Sequence, residues 1–145
     1  MMGLFDTHAH LYDKAFERDR EEVIHHICKT LDYVVIPSED LVTSEKAVAL
    51  AESHPSLYAA VGIHPQVTKD ATEEALAAIG ALARTHDKVK AVGEIGLDHH
   101  WPLPAREQLE LFEAQLQLAA ELDLPVSVHD REAHGDCLDI VREYP

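Results

Sequence analysis

Five runs of apolar residues alternate with five amphipathic stretches along the chain, and this alternation constrains the fold more than any single motif. The runs at 33–36 and 57–63 are continuously apolar, and those at 89–97 and 124–129 are predominantly so apart from Lys90, Glu94, Ser127 and His129. Such runs belong to strands buried on both faces of a parallel sheet. A first strand is predicted over 4–9. Helices are predicted behind Asp19 and across 44–53, 72–84, 105–122 and 135–143. Asp19-Arg20-Glu21-Glu22 has the form of a capping box, with Val23, Ile24, Ile27, Cys28 and Leu31 at helical spacing behind it. Leu109, Phe112, Leu116 and Ala119 share one face of the longest helix. Connectors are short and no linker interrupts them, so residues 1–145 are read as a single domain of parallel βα units.

What ends each strand is chemically informative. His8 and His10 close the first; on a strand they face one side, about 7 Å apart, and can grip one divalent cation with Asp6 in support. The alternative is a strand that frays into a polar loop. His64 follows the third run, Glu94 lies near the end of the fourth, and His129 ends the fifth. In a parallel barrel all these ends share one rim, where active sites form. Four segments would then deliver metal-type ligands to one place. Glu94 sits beside Gly93 and Gly96, which leave room for close approach, and its two oxygens can bridge two cations. A rim ion pair is its alternative role. Two cations about 4 Å apart would clamp the attacking and leaving oxygens of a phosphodiester.

Charge narrows the partners. Lys and Arg number 12 against 27 Asp and Glu, a net charge of -15. That excludes holding nucleic acid by a broad basic surface, yet allows a nucleic-acid enzyme whose bound cations supply the positive field. Solubility alone also accounts for the charge. Cys28 and Cys137 are read as free, buried and inert, as in a reducing compartment. The start of the chain runs directly into the first strand without a signal peptide, and no apolar run is long enough to span a membrane, so the expected location is the cytoplasm. Of eleven histidines, His25 and His26 are expected on a solvated helix face, and His54 and His86 on the far rim in solvent. His99 and His100 fall in a loop, and His134 flanks the site.

Asp6-Thr7-His8-Ala9-His10, Gly62-Ile63-His64-Pro65, Val92-Gly93-Glu94-Ile95-Gly96-Leu97-Asp98 and Val128-His129-Asp130-Arg131-Glu132-Ala133 together resemble the TatD family of metal-dependent deoxyribonucleases. Arg106-Glu107-Gln108 and residues 122–126 are similar to that family as well. His99 and His100 depart from it, standing where it usually has aromatic residues. The resemblance implies an α/β fold of TIM-barrel (β/α)8 type, here truncated after about five βα units. It implies a binuclear centre of divalent cations (Zn, Mn, Co or Mg), with metal-bound hydroxide attacking DNA phosphodiesters. His8 and His10 would hold the first cation, Glu94 would bridge as the catalytic carboxylate, and His129 would hold the second. His64 and Arg131 would meet substrate; their alternatives are a turn cap and an ion pair. A full barrel runs roughly 250 residues. The family's sixth-strand His and eighth-strand Asp have no counterpart here, so the chain alone is expected to be inactive or weakly active. A non-catalytic partial barrel and an amidohydrolase acting on C–N or ester bonds are the competing readings. Open edges at 4–9 and 125–129, with Val35, Val61, Val92 and Val126 uncovered, predict self-association, aggregation or a partly molten state; the competing outcome is a compact monomer whose helices swing over the open face.

Overall fold

The computed structural model describes residues 3–144. Strands β1 (Phe5–Asp6), β2 (Tyr33–Pro37), β3 (Leu57–Val61), β4 (Val89–Asp98) and β5 (Val126–Arg131) form one sheet in chain order. Every neighbouring pair is parallel, with Phe5 beside Tyr33, Val34 beside Leu57, Ala60 beside Ala91 and Ile95 beside Val128. Helices α1 (Arg20–Ile27), α2 (Leu41–Ser53), α3 (Glu73–Thr85) and α4 (Ala105–Leu122) lie between the strands, and α5 (His134–Val141) follows the last. This is the α/β architecture of a TIM-barrel type sheet, with five βα units and edges at β1 and β5.

The core lies on the helix-covered side of the sheet. Val34, Ile36, Leu57, Ala59 and Val61 pack with Ala47, Val48 and Ala51 of α2 and Ile79 of α3. A second cluster joins Val92, Ile95 and Leu97 to Phe112, Leu116 and Ala119 of α4 and Cys137 of α5. Each fully covered side chain of this kind contributes about 1.5–3 kcal/mol. The other face of β2 and β3 presents Tyr33, Val35 and Tyr58 beside Lys90 of β4. There Phe5 stacks on Tyr33 at 5.4 Å, and the Lys88 ammonium lies 4.5 Å from the Tyr58 ring centre. Of the four valines expected on that uncovered side, Val35 alone is found there. Val61 and Val92 are fully buried among the helices, and Val126 packs against the second cluster. For Val61 strand parity is the reason, since it is four residues from Leu57 and shares its helix-covered face; at Val92 the register of β4 against β5 is irregular.

Several element boundaries differ from expectation, each for a local reason. β1 is two residues long, because the His8 N–H turns back to the Asp6 carboxylate at 2.9 Å. The chain still follows β2, since the Ala9 N–H donates to the Val35 carbonyl at 3.1 Å. Asp19 forms no side-chain cap; its φ/ψ of -136°/14° lies away from the extended backbone a cap requires. A reciprocal box instead opens α2 three residues earlier than expected. The Thr43 N–H donates to the Asp40 carboxylate (2.7 Å), and the Asp40 N–H to the Thr43 hydroxyl (2.9 Å). α4 spans the expected residues, and its buried face carries Gln108 and Gln115 along with Phe112, Leu116 and Ala119, while Leu109 is half-buried. Both cysteines are free.

Candidate metal centre

Glu94 is the point on which the strand ends converge. It is buried in β4, and β4 and β5 approach closely there because Gly96 (φ 137°) has no side chain. A Cβ at Gly96 would fall 2.1 Å from the His129 carbonyl oxygen. The two carboxylate oxygens of Glu94 face different partners. Oε2 lies 3.2 Å from His8 Nε2 and 3.6 Å from His10 Nε2. Oε1 lies 3.0 Å from His129 Nδ1 and 3.8 Å from His64 Nε2. In each group, His8–His10–Glu94 and His64–Glu94–His129, the candidate donor atoms lie within 4.8 Å of one another.

Hydrogen bonds behind the histidines decide which nitrogen each one presents. His10 Nδ1 is held by the Tyr12 hydroxyl at 2.8 Å, which leaves Nε2 toward Glu94. His129 Nε2 meets the Asp98 carboxylate at 3.0 Å, which leaves Nδ1 toward Glu94. Asp98 is fully buried and well satisfied: Gln66 donates from Nε2 at 2.7 Å, and the His100 N–H donates at 3.1 Å. His64 is arranged the opposite way. Its Nδ1 accepts from the Gln66 N–H at 3.2 Å, capping the 3-10 segment Pro65–Asp70. The neutral ring therefore carries its proton on Nε2, as a donor aimed toward Glu94 rather than a lone pair for a cation.

Electrostatics agree with this division. Burial pushes the His64 imidazole down to about 4, aided by neighbouring His129 and opposed by Glu94 and Asp98. His129 is raised by its hydrogen bond to Glu94, which together with Asp98 outweighs burial. Burial pushes the Glu94 carboxyl up, yet the His129 hydrogen bond and the nearby His64 and His8 bring it below its ordinary value. Asp98 follows the same balance through Gln66 and His129. A cluster of imidazoles around one ionised carboxylate has the donor set of a divalent-cation site.

Two glutamines of α4 hold the scaffold; Gln108 entered the sequence reading only within the family resemblance, and Gln115 had no part in it. Gln115 pairs with both backbone groups of Ile63, next to His64, at 2.7 and 2.9 Å. Gln108 does the same for Asp98 at 2.7 and 3.1 Å. The signal was present: both lie on the apolar stripe of α4, seven residues apart, where an amide is retained only with partners. Asp98 was visible as a strand-end carboxylate but had no assigned role. Arg131 stands at the end of β5, with its guanidinium 5.6 Å from the Trp101 ring centre. At the opposite end of the strands, His54 pairs with Glu21 at 3.5 Å and His86 with Glu52, so neither is simply solvated.

A parallel sheet of barrel type whose strand ends gather histidines around one buried carboxylate is an α/β fold with a candidate divalent-cation centre on its rim. The sequence model of the TatD related DNase family matches residues 5–145, and the chain belongs to that family. It is 41% identical over 142 residues to the "Uncharacterized metal-dependent hydrolase YabD" of Bacillus subtilis (strain 168), covering 97% of this chain and 55% of that protein. To the "3'-5' ssDNA/RNA exonuclease TatD" of Pantoea sp. (strain At-9b) it is 37% identical over 134 residues, covering 90% and 51%. Among solved structures it resembles YjjV, a TatD homolog from Escherichia coli K12, with a TM-score of 0.90 and 33% identity over 97% of this chain and 56% of that one. The chain thus spans about half the length of the curated relatives it matches.

Proposed function

We propose that this chain acts in the metal-dependent hydrolysis of DNA phosphodiester bonds, with Glu94 bridging two divalent cations. The observation that carries the reading is the division of the Glu94 oxygens, one toward His8 and His10 and the other toward His129. Divalent cations held there would supply activated water near neutral pH and offset charge on the attacking and leaving oxygens. His8 and His10 would hold one cation through Nε2, and His129 the other through Nδ1, its ring steadied by Asp98. His64, neutral and donating from Nε2, would meet a phosphoryl oxygen instead of a cation. Arg131, on the rim, would take a phosphate further along the strand. Cations also let an acidic chain approach a polyanion.

The named activity of the Pantoea relative supports nucleic acid as the substrate class. Two free cysteines fit a reducing setting such as the cytoplasm, and among the described residues no helix is long and apolar enough to cross a membrane. Turnover by these residues alone is expected to be weak, since Glu94 is the one carboxylate grouped with His8 and His10 among the described residues. We further propose that the open sheet edges promote self-association.

Calorimetric titration of the purified chain with Zn²⁺ or Mn²⁺ tests the bridged centre. Glu94→Ala should weaken both binding events and His129→Ala chiefly one; variants that bind like the parent would sink it. In parallel, cleavage of single-stranded DNA should be feeble, metal-dependent and abolished by EDTA. Robust cleavage that disappears in Glu94→Gln would overturn the expectation of weak turnover.

A further inference from the structure

We propose that Trp101 is a stacking platform for an unpaired nucleobase, with Arg131 beside it for the adjoining phosphate; this rests on the nucleic-acid reading above. Trp101 lies in the connector between β4 and α4, directly after the strand end that carries Asp98, and 49% of its surface is exposed. The Asp98 carboxylate ties this connector to the metal centre. Its Oδ2 meets His129 Nε2 at 3.0 Å, while its Oδ1 accepts from the backbone N–H groups of His100 at 3.1 Å and Trp101 at 3.4 Å. The His99 N–H donates to the Arg131 carbonyl at 2.9 Å, pinning the connector to the end of β5. A large apolar side chain is thus held at the lip of the site by the same carboxylate that orients one of its histidines.

The surroundings suit a base and a phosphate. The Arg131 guanidinium lies over the indole at 5.6 Å, and the His100 ring meets it edge-on at 4.8 Å. Three nearby carboxylates are turned toward histidine rings instead of toward Arg131. Glu132 meets His100 at 2.8 Å, Asp136 meets His99 at 3.8 Å and Asp130 meets His134 at 2.6 Å. Among the described residues Arg131 has no carboxylate partner, so its donors stay available to an incoming anion. An indole face accepts any base, because every base has a π-face, but only a base already outside a duplex. The platform would therefore favour single strands without reading their sequence.

Trp101 is the chain's one tryptophan, so its emission reports on this position alone. A short phosphorothioate oligothymidylate added in Mg²⁺ should quench that emission. An abasic strand of the same length should bind more weakly and leave it unchanged. In Trp101→Ala the affinity for a labelled strand, read by anisotropy, should fall between about fivefold and about a hundredfold. Trp101→Phe should recover most of it, and both variants should keep the parent's circular dichroism and Zn²⁺ affinity. Strand binding with unchanged emission, or with full affinity in Trp101→Ala, overturns the platform and leaves the nuclease reading standing. Failure of every strand to bind the parent overturns both.

Discussion

His64 shows how burial can set a side chain's chemistry. Because the ring is buried and lies beside His129, the folded protein keeps His64 neutral down to about 4, against an ordinary value of 6.5. The unfolded chain takes up a proton in that window and the folded chain does not. Stability that is present above pH 6.5 is therefore lost as pH falls toward 4, by up to about 3 kcal/mol. His129, raised by its carboxylates, has the opposite sign: its contribution is present below pH 6.5 and lost as pH rises through its folded value. Urea midpoints measured against pH in metal-free buffer should fall on the acid side for the parent, and His64→Gln should flatten that fall. Parallel curves would show that His64 is not held neutral.

At the scale of elements, two aspartates at helix starts make opposite predictions. Asp40 closes a reciprocal hydrogen-bonded box with Thr43 at the start of α2, and its removal frees the first-turn N–H groups. Asp40→Ala should cost about 1 kcal/mol. Asp19 precedes α1 without a side-chain bond, and Asp19→Ala should stay within about 0.5 kcal/mol of the parent. Equal losses in urea denaturation would contradict the assigned caps. The sequence pattern suggested the reverse, because Asp19-Arg20-Glu21-Glu22 matches the familiar box and Asp40-Leu41-Val42-Thr43 ends in Thr instead of Glu. What counts is the backbone angle at the cap, and Arg20 helps to set the local path by donating to the carbonyls of Leu11, Tyr12 and Asp13.

For the molecule as a whole, the sheet edges and the uncovered face matter most. Among the described residues β1 and β5 each have a neighbouring strand on one side only, and Leu4, Phe5 and Tyr33 stand 63%, 59% and 45% exposed beside that face. Unpaired strand edges next to aromatic surface favour pairing with another chain. Light scattering coupled to size exclusion should therefore show species larger than a monomer. A sharp monomer peak with a strong near-UV dichroism signal and cooperative melting would refute this. Burial of Val61 and Val92 under the helices lowers the driving force relative to four bare valines, but the aromatic cluster of Phe5, Tyr33 and Tyr58 remains.

The five parallel strands and the gathering of His8, His10, Glu94 and His129 were legible in the sequence, because continuous apolar runs specify buried strands and parallel strands end on one rim. The roles within that gathering were not. Glu94 and His129 are 35 residues apart, and His129 and Asp98 are 31 apart. Which Glu94 oxygen faces which histidine, and which ring nitrogen each histidine offers, depend on these long-range contacts. The valine faces were decided by strand register, and the glutamines of α4 gained meaning only when helix met strand end. Local pattern determined where the ligand-type residues stand. The packed tertiary structure decided what each one points at, because a hydrogen bond's direction is set by partners the local sequence does not contain.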